Sequence, residues 1–200
     1  MKVKKYFIIP LFLIFIALNV SAGFTAVSEL SASEKNGLLR MREEEKLARD
    51  VYLFLYDKFK IKIFKNISAS EQQHMDSVLT LLNMHGIEDP VGSDRRGIFK
   101  NTEMQSLYDT LINAGSRSAA DALKTGATVE DLDIMDLMNL LKTNSNKDIK
   151  IVYENLLKGS RNHLRSFVKQ LKQYKTEYKP QYISNDEFNS IINSPMERGK

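Results

Sequence analysis

Glu71 and His74 stand three residues apart in the run Glu71-Gln72-Gln73-His74. On a helix, that spacing projects a carboxylate and an imidazole from one face. Helical bundles that hold paired cations use this pairing together with lone glutamates from facing helices. Carboxylate and imidazole ligands together suit iron, manganese or zinc. As a bare pattern Glu-x-x-His is common, so its weight depends on what other helices place opposite it.

Four stretches carry the apolar periodicity of amphipathic helices. The first runs Leu38, Met41, Glu45, Ala48, Tyr52, Leu55, Phe59. The second runs Glu71, His74, Val78, Leu81, His85. The third runs Ala119, Leu123, Gly126, Glu130, Asp133, Leu137, Leu140, and the fourth Ile149, Val152, Leu156, Ser160, His163, Phe167. Each apolar face is interrupted by an acid or a histidine. A carboxylate turned into a core costs several kcal/mol unless it is paired, protonated or bound to a cation. Glu45, Glu71, His74, Glu130 and His163, with Asp133 beside Glu130, are therefore the candidate metal ligands.

Each candidate has a competing structural reading. Ser68-Ala69-Ser70-Glu71 reads as a capping box, which alone would satisfy Glu71. Glu43 to Glu45 form an acidic run that a solvated turn would explain. The apolar stripe selects Glu45 and leaves Glu43 and Glu44 off it. Arg49, four residues on, is a candidate partner for Glu45, and Tyr52 a candidate hydroxyl donor behind the ligands. Asp131 and Asp136 fall on other faces and are expected in solvent. A second Glu-x-x-His would put a glutamate where Ser160 stands, and Asp133 is the nearest substitute. His85 lies about 16 Å from His74 along the axis, too far to share a site, and complements a helix C-terminus. Arg95 and Arg96 are expected to face solvent, and the dispersed methionines to fill core.

The elements that must position these residues read as helices throughout. Helix 1 is expected from about Ser33 to Lys60, followed by a turn to Ser68. Helix 2 then runs from the Ser68 box to His85-Gly86. Residues 86–100 form a loop; Thr102 with Gln105 caps a short helix to about Asn113, ended by Gly115. Helix 3 spans about Ser118 to Lys142. Helix 4 runs from Lys147 to Tyr174 with an interruption at Gly159, and a terminal helix opens at the Ser184–Glu187 box and stops before Pro195. No alternation of period two is long enough for a sheet. The fold class is all-α: a four-helix bundle with a short crossover helix and a short C-terminal helix.

Composition narrows the chemistry. The chain has no cysteine, which excludes disulfides, thiolate zinc sites, iron–sulfur clusters and cysteine nucleophiles. Lys2, Lys4 and Lys5 precede an apolar run from about Tyr6 to Leu18 and the small residues Val20-Ser21-Ala22. This reads as an export signal cleaved after Ala22. The run is short for a membrane span of roughly 20 residues, so no stable membrane insertion is expected after cleavage. Residues 23–34 read as a flexible lead-in and 35–195 as the folded domain. Of 29 basic side chains, three lysines belong to residues 1–22, leaving 26 against 25 acids. No basic excess remains to neutralise phosphates, and nucleic acid is not an expected partner.

Glu45-Lys46-Leu47-Ala48-Arg49-Asp50-Val51-Tyr52 resembles the first-helix motif of rubrerythrin-type ferritin-like proteins. Met41–Tyr52, Ser70–Met75, Val129–Ile134, Gly159–Leu164 and Tyr178–Ser184 together resemble the bacterial and archaeal family called domain of unknown function 2202, over about residues 38–190. The resemblance implies a ferritin-like fold and places Glu45, Glu71, His74, Glu130 and His163 at ligand positions. Ser160 departs from the pattern. Ferritin-like relatives oxidise iron, reduce peroxide or activate oxygen at paired metals, but the family name itself carries no activity.

The expectation is an exported, ferritin-like metal protein with iron, or else manganese or zinc, in its core. Its partners would be metal ions and oxygen or peroxide, in an oxidase- or peroxidase-type role. The alternatives are metal storage without turnover, and a metal-free exported structural or interaction module in which the same residues form a buried polar network.

Overall fold

A computed structural model describes residues 29–198. The expected export signal and residues 23–28 of the lead-in lie outside the described residues. Six helices and no strand occur among the described residues: α1 Ala32–Phe59, α2 Lys62–Met84, α3 Thr102–Gly115, α4 Ala119–Thr143, α5 Lys147–Gln173 and α6 Asn185–Asn193. No described helix is long and apolar enough to cross a membrane.

Local chemistry sets the helix boundaries. Ser31 caps α1 in a reciprocal box with Glu34, so the last residues of the expected lead-in are the first turn of the domain. Glu34 reaches further: its Oε1 accepts from the Ser145 and Asn146 backbone N–H groups and the Ser145 hydroxyl, all at 3.0 Å. That carboxylate ties the start of α1 to the α4–α5 turn. Asn101, not Thr102, caps α3. Gln105 instead holds the preceding loop, accepting from Phe99 N and donating to Gly97 O.

Two expectations fail for physical reasons. α2 opens at Lys62, six residues before Ser68. The buried side chains Phe64 and Ile67 extend its apolar stripe backward from Glu71, and that burial outweighs the local capping signal. Ser68 sits inside the helix with its hydroxyl donating to Lys65 O. Gly159 does not interrupt α5, which is continuous through it.

Short turns join α1 to α2 and α4 to α5, and each pair packs along its length as a helical hairpin. The hairpins meet through α1 against α4 and α2 against α5. α3 lies over α1 and α4, and α6 over α5. α1 is thus covered on several sides, and every residue from Met41 to Tyr52 is buried. Its flank carries a buried ionic network. Lys46 donates to Asp50 at 2.5 Å and to Arg95 O at 2.9 Å, and its ammonium lies 4.2 Å from the Phe99 ring centre. Asp50 also accepts from Arg49 and from Gly97 N. These bonds hold the 86–100 loop against α1.

Candidate metal centre

The four long helices bring one or two polar side chains each to a common point. Glu45 comes from α1, Glu71 and His74 from α2, Glu130 from α4 and His163 from α5. Glu45, Glu71 and His74 offer ligand-type atoms all within 4.8 Å of one another, and so do Glu71, Glu130 and His163. Glu71 belongs to both trios. His74 Nδ1 lies 2.7 Å from Glu71 Oε2 and 3.2 Å from Glu45 Oε2. His163 Nδ1 lies 2.9 Å from Glu71 Oε1 and 3.5 Å from Glu130 Oε2. The two imidazoles stack with centroids 5.7 Å apart.

The carboxylates are deeply buried, with Glu45, Glu71 and Glu130 no more than 2% exposed. Burial pushes Glu45 up to about 7, against the pull of His74. Burial and the Glu71 charge lift Glu130 to about 7 as well. Burial also works on Glu71, but His163 and His74 outweigh it and hold that carboxyl well below its ordinary range. Burial opposes charge on the imidazoles, yet Glu45 and Glu71 raise His74 well above its usual value. Glu71 and Glu130 likewise raise His163 to about 10. Each group's protonation is set by the others, as in a site where protons stand in for a cation's charge.

Hydrogen bonding within the cluster is incomplete. Glu45 Oε1 is buried with no hydrogen bond, and Glu71 Oε1 and His163 Nδ1, 2.9 Å apart, face each other as an ion pair without hydrogen-bond geometry. Unpartnered buried polar atoms are rare and costly. Here they are lone-pair donors converging from three helices, so the donor set fits a bound cation better than it fits itself. Hard oxygen and imidazole nitrogen donors, with no sulfur, are the ligands of iron, manganese or zinc.

Close packing supports the cluster. Tyr52 OH donates to Glu130 Oε1 at 2.5 Å. Its ring is fully buried against Phe64 and Phe167. Two helical glycines admit the neighbouring rings. A Cβ on Gly159 would stand 2.7 Å from His74 Nε2, and one on Gly126 would stand 2.5 Å from Phe167 Cε1. Gly159 belongs to the site's construction. Its position inside a helical pattern, one turn before His163, was the available signal.

The other residues singled out from sequence lie elsewhere. Asp133 belongs to neither trio. It is bonded to the Ser160 hydroxyl, so a carboxylate does approach the place where the pattern lacks one. Burial and the Glu45 charge push its carboxyl well above the ordinary range. Arg49 does not pair with Glu45; it reaches outward to Asp50, Gln72 and Asp94. Glu43 and Glu44 are buried, not solvated: the 86–100 loop and Asn101 cover Glu43, and Glu44 lies against α3 and α4. Glu43 accepts from Asn101 and Glu44 pairs with Arg40. Asp136 is partly buried and paired with Arg40. Asp131 is fully buried, accepting from Tyr178 OH and the backbone N–H groups of Gln181, Tyr182 and Ile183. It fixes the C-terminal segment, which no helical periodicity on α4 could reveal. His85 caps the C-terminus of α2, away from the cluster. Arg95 and Arg96 are exposed, Arg96 pairing with Asp57.

The uncharacterized protein MJ0754 of Methanocaldococcus jannaschii is 56% identical over 170 residues, spanning 85% of this chain and 92% of that protein. The crystal structure of hypothetical protein MJ0754 from Methanococcus jannaschii matches with a TM-score of 0.84 at 55% identity, over 86% of this chain and 98% of that one. A family described as "Uncharacterized protein domain (DUF2202)" matches residues 34–195. With nearly the whole described chain inside that match, the protein belongs to the DUF2202 family.

Proposed function

We propose that this chain is an exported, ferritin-like four-helix-bundle protein that holds two cations, iron in the first instance, between its helical hairpins. The supporting observation is the pair of Glu/Glu/His trios that share Glu71. A carboxylate with one oxygen toward each trio is what a bridging ligand requires: Oε2 faces His74 and Oε1 faces His163. Glu45 and Glu130 would be the terminal carboxylates, and His74 and His163 the imidazole ligands through Nδ1. Asp133 stands one turn from Glu130, hydrogen-bonded to Ser160 beside the ligand set.

The three carboxylates would offset the charge of the cations in a dry interior, where an uncompensated ion costs several kcal/mol. Paired iron supplies redox chemistry toward oxygen or peroxide when bound. The chain's own part is to fix the ligands from four rigid helices, to pack Tyr52, Phe64 and Phe167 from α1, α2 and α5 together beside them, and to leave only the imidazoles partly exposed, at 13% and 12%. The functional reading is oxidant or peroxide handling outside the cytoplasm, where the export signal read from residues 1–22 would send it.

A metal-free polar module is the second reading, favoured by the contacts the five groups make with one another. The two are separated by elemental analysis of the protein purified after expression with iron. The metal reading expects stoichiometric metal, lost in Glu71→Ala and in His74→Ala. Full metal content in both variants, or none in the parent, excludes it. Peroxide consumption by the loaded protein then separates turnover from storage.

A further inference from the structure

We infer that the two halves of this centre are unequal, and that Tyr52 makes them so by occupying one oxygen of Glu130. The inference rests on the metal reading above and concerns how the chain divides its donors between two cations.

The halves share Glu71, and each adds one imidazole through Nδ1. They differ at the terminal carboxylate. Glu130 Oε1 receives the Tyr52 hydroxyl at 2.5 Å, and its Oε2 is the atom facing His163. An ionised carboxylate only accepts, so that short contact uses the phenol's single hydrogen, and Gly126 O at 3.3 Å is the weaker competitor. Glu45 has no such neighbour: Oε2 faces His74 and Oε1 is buried with no hydrogen bond. Glu45 therefore has both oxygens uncommitted outside the ligand set, whereas Glu130 Oε1 already shares its lone-pair density with the phenol and is the poorer donor. With Glu71 and an imidazole in each half, the Glu45 half presents four uncommitted donors and the Glu130 half three, with a fourth weakened by the phenol.

Tyr52 is held to this task. It is fully buried, with ring centroids 5.4 Å from Phe167 and 6.2 Å from Phe64. Glu45 is 1% exposed, so turning its carboxylate to chelate forfeits little rotamer freedom. The extra donor decides the order, and the Glu45 half fills first. Removing an outer hydrogen-bond partner usually weakens a metal site by 10–100-fold because it disorients the ligand. Tyr52 competes with a cation for a ligand oxygen, so its removal acts with the opposite sign. It is a positioning residue.

The test is calorimetric titration of the metal-free protein with zinc ion, which is redox-inert. The parent should show two steps separated by about tenfold or more. Glu45→Gln should abolish the tighter step, and Glu130→Gln the weaker. Tyr52→Phe keeps the ring packing; it should tighten the weaker step by about tenfold, the low end of outer-partner effects, and leave the tighter one in place. Equal steps in the parent would overturn the inference, and so would a weaker step that Tyr52→Phe leaves unchanged or loosens. A purely structural role would weaken both steps and lower the melting temperature of the metal-free protein. Should Tyr52→Phe not fold, the two glutamate variants decide which half fills first. If no zinc binds to the parent, the metal reading itself has failed, an outcome distinct from two equal sites.

Discussion

The unsubstituted Cα of Gly159 on α5 lies directly against the imidazole of His74 on α2, where a Cβ would come within 2.7 Å of both Cε1 and Nε2. The two residues are 85 positions apart in sequence, yet the absent side chain of one sets the rotamer of the other. In Gly159→Ala the ring would have to swing away from Glu71 Oε2, now 2.7 Å from its Nδ1. Alanine favours the helix by about 1 kcal/mol over glycine, which offsets part of the crowding. The expected result is metal affinity lowered by at least about tenfold with the metal-free melting temperature close to that of the parent. Unchanged affinity would show that His74 does not need this cradle.

Stripping the metal should soften the fold. A ligand bound only by the native state at 100 times its dissociation constant adds about 2.7 kcal/mol. For a domain of this size each kcal/mol moves the melting temperature by roughly 2–4 °C, so a chelator should lower it by roughly 5–11 °C. The comparison needs metal-loaded and stripped samples scanned side by side. Identical curves would favour the self-contained polar network.

Helical periodicity reveals which faces turn inward, and that is why Glu45, Glu71, His74, Glu130 and His163 are legible before any coordinates. Each replaces an apolar residue in a stripe whose neighbours are core, as Met41 and Tyr52 are around Glu45. What periodicity cannot reveal is how many neighbours a helix has. α1 is packed by α2, α3 and α4, so Glu43, Glu44, Lys46 and Asp50 are buried off the main stripe, where a two-sided helix would leave them wet. The Ser68 box misleads for a related reason. A capping pattern is satisfied locally, while Phe64 and Ile67 gain burial only from the packed hairpin. Asp131 is legible only once the C-terminal segment has folded back over α4.

Glu34 makes stability depend on acid. The backbone N–H groups of Ser31 and Ser145 hold its carboxyl down at about 2. In the unfolded chain a glutamate titrates near 4.3. A group depressed on folding stabilises the native state fully above its unfolded value and loses that contribution as pH falls through its folded one. Glu34→Gln should therefore melt lower than the parent at pH 7, with the gap closing between about pH 4 and pH 2. Thermal scans of both proteins across that range check it. A gap that persists undiminished to pH 2 would place the contribution in the amide-insensitive packing of α1.

Asp131 offers a way to loosen the tail without touching the cluster. Four donors converge on its carboxylate: Tyr178 OH at 2.7 Å and the N–H groups of Gln181, Tyr182 and Ile183 at 2.5, 3.2 and 2.9 Å. Asparagine keeps one acceptor oxygen and turns the other side into a donor facing donors. Hydrogen bonds to a charged group contribute about 1.5–3 kcal/mol each, and a buried donor left unpaired costs about 1–3 kcal/mol. Asp131→Asn should lose roughly 3 kcal/mol or more, with amide exchange rising first at residues 181–183. Asp131 neighbours Glu130 in the chain but lies about 100° around α4 from it, where it meets the C-terminal segment. Metal content should therefore survive at temperatures where the variant remains folded. Loss of metal in a folded variant would mean that the C-terminal segment braces Glu130 through Asp131, so that the tail and the centre behave as one unit.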